Sequence, residues 1–392
     1  MRRGIILIML FAAYLGSLCS QNTDSLNLPL PQFMNPFYDS FSRNYFGAPA
    51  TGRGYSGAAY LGDVAGVSLN PASLLPDSTQ LSMELNLKPP KQTFGYPTYA
   101  QYSSRLPFAM ASLSGKLGKD ISASIIYSLP KSIYLDDFTM FINQGAGYVQ
   151  RFPAYYLYQF SLNAAYHKPL FHLGLNIHNQ VHYLDDPIFL HTFERVRSYR
   201  YALRVQPGII VGNDKLSLGV SAMPPSKFKW DLKYATYDVV QPLWVNTGIS
   251  YREGLNRWLV DAEYEQFSKI CDEYSDRLIL KIGYERNLGR IVYRLGYLYS
   301  PEVYSGVIRL PANPNATIES SFWWGTVPST ITIDKNGQDF ITGGLSYYHQ
   351  YGSVNLAAMQ VIAGKTTQAQ FVFSLSFYPN SIRQKGSPNL DD

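Results

Sequence analysis

The chain is nearly free of cysteine. Only Cys19 and Cys271 occur among its 392 residues, and the first falls in an N-terminal leader, so no disulfide framework braces a mature fold. Charge is sparse too: Asp, Glu, Lys and Arg together make up 16% of the sequence. The formal net charge of +5 counts two leader arginines and is too small to imply nucleic-acid binding. Beyond the leader, no run approaches the ~20 apolar residues of a membrane helix. Catalytic signatures are missing as well: there is no Gly-x-Ser-x-Gly elbow, no phosphate-cradling glycine loop and no paired metal-ligand motif. The expectation is a protein that is not an enzyme, with no catalytic residues, no cofactor and no metal.

What the chain does have is an export leader, 32 tyrosines, 21 phenylalanines and a strict alternation of polar and apolar residues. Residues 1–20 combine basic Arg2 and Arg3, an apolar stretch Ile5–Leu15 and a small-residue end Gly16–Ser20. That is the anatomy of a secretory signal peptide, cleaved near Gln21; Leu18 makes Cys19 a poor lipidation site. Further on, Leu81, Met83, Leu85 and Leu87 alternate with Ser82, Glu84, Asn86 and Lys88. This is a strand with one apolar and one polar face.

The same period recurs at 79–88, 106–117, 120–129, 155–167, 170–183, 199–211, 215–223, 243–252, 257–266, 276–285, 290–300, 339–350, 353–362 and 368–378. Counting from the first strand, every second connection is short, and the others are mostly long. Outer-membrane barrels have short periplasmic turns and longer outer loops. The pattern predicts an all-β, 14-stranded antiparallel transmembrane barrel over 78–379, a periplasmic C-terminal tail over 380–392, and both termini on the periplasmic side of a Gram-negative outer membrane. The run Phe228–Trp230–Leu232–Tyr234 would break this parity as a wall strand and is placed in an outer loop. The loop over 301–338 has two short apolar runs, Phe322–Trp324 and Ile331–Ile333, which could pair as an external hairpin.

Assigning apolar positions to lipid fixes what faces inward. Tyr158, Phe160, Leu162, Ala164 and Tyr166 go outside, leaving Gln159, Ser161 and Asn163 in the lumen, with His172, Asn176, His178, Gln180 and His182 on the next strand. The histidines His172 to His182 extend over roughly 33 Å of strand at about 3.3 Å per residue, too far to share one ion, so they read as polar lining. Asp261, Glu263 and Glu265 point inward on one strand, and Arg277, Lys281, Glu285 and Arg294 do so on the next two. Cross-strand ion pairs among Glu263, Glu265, Lys281 and Arg294 are expected to rigidify the wall.

Residues 21–77 show no sustained alternation and read as an N-terminal plug, or hatch, inside the lumen. Their core, GRGYSGAAYLGDVAGVSLNPA, is rich in glycine and alanine, as close packing inside a barrel requires. Asn70–Pro71 is a turn signal. Within it, Gly57–Ala58, Asp63 and Asn70–Pro71–Ala72 form a motif. This motif resembles that of the superfamily of long-chain fatty-acid transporters of the FadL/TodX type, whose relatives include the PorV/PorQ-type proteins of type IX secretion. Ser73 departs from the glycine that the family places there.

The resemblance implies a 14-stranded barrel blocked by its hatch, with hydrophobic ligand captured by outer loops and released when the hatch shifts. Two loops suit this role. Residues 130–154 hold Phe138, Phe141 and Ile142, and 184–198 hold Phe189 and Phe193 followed by Arg195 and Arg197. Apolar residues gathered beyond a membrane, next to arginines, suit an amphiphile with an acid head group. The expected function is passive uptake of hydrophobic small molecules such as long-chain fatty acids. The alternative is a PorV/PorQ-like secretion-associated barrel that docks an exported protein. Outer-membrane lipid and the barrel-assembly machinery are expected partners.

Overall fold

The computed structural model describes residues 43–379 apart from 89–90, 93–100, 103–106, 137, 143–146, 152–153, 186–196, 233–234, 271–273, 304–305, 310–320, 323–324, 327–329, 334–336 and 364–368. Fourteen wall strands follow one another in chain order: β1 Gln80–Leu87, β2 Phe108–Lys116, β3 Ile121–Asp136, β4 Ala154–Lys168, β5 Phe171–Asp185, β6 Arg197–Gly212 and β7 Leu216–Met223, then β8 Trp244–Glu253, β9 Asn256–Glu265, β10 Arg277–Asn287, β11 Ile291–Ser300, β12 Gln338–His349, β13 Gly352–Ala363 and β14 Ala369–Phe377. Each pairs antiparallel with its neighbours in sequence, and β1 pairs with both β2 and β14. The sheet therefore closes on itself and leaves no free edge.

Alternation decides the faces. On β4, Leu162 is 57% exposed while Asn163 is 4% exposed. Around the wall, Leu81, Leu113, Ile125, Leu173, Leu218, Ile249, Val260, Ile282, Leu295, Ile341, Leu356 and Leu375 all point outward. Serine, asparagine, glutamine and charged side chains occupy most of the alternate positions and are buried, with Ile279, Leu298, Phe340 and Met359 among them packed on Tyr45 and Tyr55. A soluble protein does not leave a continuous apolar belt facing water; a bilayer spanned by a barrel needs one. Aromatic rings mark the belt's rims. Trp258 pairs in register with Tyr251 and Tyr284 near the short-turn end, and Tyr183 stacks on Tyr199 at 4.6 Å toward the loop end.

The short connections 117–120, 169–170, 213–215, 254–255, 288–290 and 350–351 lie at one end, together with the start of β1 and the end of β14. At the other end, β3 to β6 run to 15 or 16 residues, beyond the ~9–11 that cross a bilayer. Three sequence expectations change here. Residues 130–136, read as the beginning of an outer loop, continue β3, with the ladder shifting register between Ser128 and Lys131 at Leu129–Pro130. Proline cannot donate to a ladder, so the strand passes it as a bulge. Arg197, read as a loop residue, opens β6. Phe322 and Ile331–Ile333 do not pair with each other: Ser321–Phe322 pairs with Gly325–Thr326, and Thr330–Ile333 with Gly306–Arg309. The Phe228 run lies outside the wall sheet, in a hairpin of Ser226–Leu232 with Ala235–Gln241.

Candidate functional site: the occupied lumen

Residues 43–76 have only one short helix, α1 (Ala48–Gly52), and two single 3-10 turns, Ala65–Ser68 and Pro71–Ser73. A stretch this irregular leaves most backbone groups without partners of its own, and buried groups of that kind must be satisfied from outside. Inward side chains of the wall do this. Carboxylates take the amides: Glu84 accepts from Gly47 and Ala48 at 2.7 and 2.8 Å, and Asp261 from Gly57 and Ala58 at 2.7 and 2.8 Å. Wall amides take the carbonyls. Asn86 and Gln370 both donate to Tyr45 O, Asn176 to Val67 O, Gln206 to Ser68 O and Asn246 to Leu69 O.

Close approach is made possible by glycine. Seven strands, β5 to β8 and β10 to β12, each place one glycine in their inward series: Gly174, Gly208, Gly219, Gly248, Gly283, Gly296 and Gly344. A methyl on Gly219 would lie 1.9 Å from Ala58 O, and one on Gly296 would lie 2.0 Å from Gly54 N. The Asn70–Pro71–Ala72 turn rests on two of them, because methyls on Gly208 and Gly174 would overlap Asn70 Oδ1 at 2.1 Å and Ala72 N at 2.2 Å. Asn70 holds the turn from within: its Oδ1 accepts from Ala72 N at 3.0 Å, and its Nδ2 donates to Ala58 O at 2.7 Å and to Ile209 O at 3.1 Å. Asp63 pairs with Arg53 at 2.5 Å, while Arg53 stacks on Tyr60. The motif residues Gly57, Asp63, Asn70, Pro71 and Ala72 thus all lie within this seated segment.

Charged wall residues meet where the alternation puts them. Lys281 lies 2.5 Å from Glu263, Arg277 2.6 Å from Glu265, and Arg294 2.7 Å from Glu285. Arg294 therefore pairs with Glu285, not with Glu263 or Glu265. Arg43 comes in from the N-terminal segment to share Glu263 at 2.5 Å. His178 bonds Ser161 and Gln206, and His182 bonds Tyr155 and Gln241.

Between the segment and the loop end lies a cavity of about 170 Å³. Arg43, Phe46 and Ser68 form its floor, and Phe228, Val239 and Gln241 of the Ser226–Gln241 hairpin form its roof. Trp230 of that hairpin is fully buried, Phe228 packs 4.4 Å from the His182 ring, and Gln241 donates to Gln180 at 2.8 Å. Tyr155, His178, Arg204, Trp244 and Phe267 line the sides. None of Arg204, Phe228, Trp230 or Trp244 was singled out from sequence as a site residue; Arg204 carried a signal, as an arginine in the inward series of β6. The ligand residues read from sequence are placed differently. Phe138, Phe141 and Ile142 fall in an outer hairpin, Phe138–Ile142 with Gly147–Arg151. Arg197 stands 3.5 Å from Asp185. Phe189, Phe193 and Arg195 lie outside the described residues.

Fold and lumen together define a class: a closed 14-stranded outer-membrane-type barrel with its N-terminal segment packed against the inner wall. Among solved structures, the fold is that of the FadL-type outer-membrane barrels. The Ralstonia pickettii toluene transporter TbuX matches with a TM-score of 0.61 at 13% identity, covering 86% of this chain and 99% of its own. The Pseudomonas putida toluene transporter TodX matches at 0.58 and 13% identity, covering 85% and 97%. A Pseudomonas aeruginosa FadL homologue matches at 0.56 and 11% identity, covering 84% and 97%. These likenesses are of fold. No protein-family model matches the sequence, and comparison with curated proteins finds no match.

Proposed function

We propose that the protein is an outer-membrane barrel for passive uptake of hydrophobic small molecules, exported by its signal peptide and inserted by the barrel-assembly machinery. The observation that carries this reading is the lumen: a wall that faces lipid all round encloses a seated segment and, above it, a half-apolar cavity of about 170 Å³. A water-filled pore for polar solutes would leave the lumen open. A barrel for apolar solutes needs somewhere to bury them, at about 0.8 kcal/mol per methylene. The toluene transporters TbuX and TodX share the fold and favour this reading over catalysis.

In this reading Phe138, Phe141, Ile142, Phe189 and Phe193 capture ligand outside the membrane, with Arg195 and Arg197 beside them. Residues 43–76 act as the hatch that prevents a permanent water pore, and the ion pairs around Glu263 and Glu265 stiffen the wall against which the hatch sits. The test is uptake of labelled toluene and of a labelled long-chain fatty acid by cells whose outer membrane carries the chain. Replacing Phe138, Phe141 and Phe193 together with Asp is expected to abolish the uptake that the chain confers. Undiminished uptake would remove the outer loops from the pathway.

A further inference from the structure

We infer that the lumen cavity is selective for an anionic ligand, a carboxylate joined to a single aromatic ring, with Arg204 as its anchor. This rests on the uptake reading above and assigns a substrate class to its cavity. Four cations, Arg43, Lys131, Arg204 and Arg277, line the cavity against one carboxylate, Glu265. Arg277 already engages that carboxylate at 2.6 Å, and Arg43 engages Glu263 behind it. Arg204 differs from both. Its side chain is buried, its Nη2 donates only to main-chain carbonyls, those of Pro224 and Pro242 at 2.9 Å and Met223 at 3.5 Å, and its Nε has no acceptor.

A buried guanidinium with an unmatched donor and no carboxylate on it is a site short of one anion. A carboxylate there would accept a charge-assisted hydrogen bond, whereas a hydrocarbon would leave the donor dry. Size and lining set the rest of the ligand. About 170 Å³ is close to the ~150 Å³ of a cavity that holds benzene. Tyr155, Phe228, Trp244 and Phe267 supply aromatic walls. His178 and His182 are already bonded to Ser161, Gln206, Tyr155 and Gln241, and of the three arginines in the lining Arg204 is the one with no carboxylate bonded to it.

The experiment is calorimetric titration of the full mature chain in detergent with benzoate and, separately, with toluene, using the wild type, Arg204→Gln and Arg204→Lys. Benzoate is expected to bind the wild type, to weaken at least tenfold in Arg204→Gln and to recover in part in Arg204→Lys, while toluene affinity changes less than twofold. The salt dependence of wild-type binding is a second measurement that needs no variant to fold: benzoate affinity falls as salt rises, and toluene affinity does not. Toluene binding without benzoate binding would overturn the anion assignment and leave the uptake reading standing. Benzoate binding indifferent to both Arg204 and salt would do the same. Binding of neither probe would overturn both.

Discussion

Gly296 faces a crowded part of the seat, and adding one methyl there tests how the N-terminal segment is held. The new carbon of Gly296→Ala would lie 2.0 Å from Gly54 N, 2.3 Å from Arg53 C and 2.6 Å from Gly54 Cα, where non-bonded atoms rest at about 3.5–4.0 Å. These three nearest atoms are all main chain, and β11 is pinned on both sides by β10 and β12, so the segment has to move by about 1.5 Å. That displacement also strains two hydrogen bonds, Gly54 N to Thr342 Oγ1 at 2.9 Å and Thr342 Oγ1 to Gly52 O at 3.1 Å. Overpacking costs about 1–3 kcal/mol and each lost bond about 1 kcal/mol. Together they weaken docking of the segment by about 3–5 kcal/mol, at least a hundredfold. Hydrogen–deuterium exchange reads this directly, as faster exchange of the Gly54, Gly57 and Ala58 amides with the wall strands unchanged. Gly343→Ala is the control, because a methyl there meets nothing nearer than 4.0 Å. Equal exchange in the two variants would refute the argument that glycine makes the seat.

Other substitutions probe the remaining supports. Asp261→Ala strands the amides of Gly57 and Ala58 and is expected to cost about 1–3 kcal/mol, read as proteolytic nicking within residues 54–60; Asp261→Asn, which keeps an acceptor, should cost less. Lys281→Met leaves Glu263 to Arg43 alone, and a drop in the heat-modification temperature on gels, corresponding to about 1–3 kcal/mol, is expected; an unchanged temperature would mark the pair as energetically idle. Trp230→Ala removes the buried ring under the roof hairpin at a cost of about 3–5 kcal/mol in local stability, so exchange should rise in Ser226–Gln241 and stay level in β1 to β14.

The wall was readable from sequence because a barrel strand must alternate: Leu162 beside Asn163, or Ile282 beside Lys281, betrays its two faces without knowledge of its neighbours. Strand number and loop parity followed from that one rule. The sequence pattern ends β3 at 129, before Pro130, and only the partner strand shows that the ladder resumes at Lys131. Pairing within the charged strands was half readable. Glu263 and Lys281 come together, but Arg294 goes to Glu285, its direct register partner on the adjacent strand β10. The seat and the cavity are tertiary. One inward glycine on each of seven strands interrupts a series of larger side chains, yet it acquires meaning only when Ala58, Gly54 and Asn70 lie against it. Arg204 reads as ordinary polar lining until Pro224 and Pro242 are seen to offer it only carbonyls.

Steady ion conductance across a planar bilayer compares the intact mature protein with a version lacking residues 43–76. A lumen closed by its own N-terminal segment gives no steady current from the intact chain and a large, voltage-stable pore from the shortened one. An intact chain that conducts as freely as the shortened one would mean that the lumen is open and the segment is no stopper.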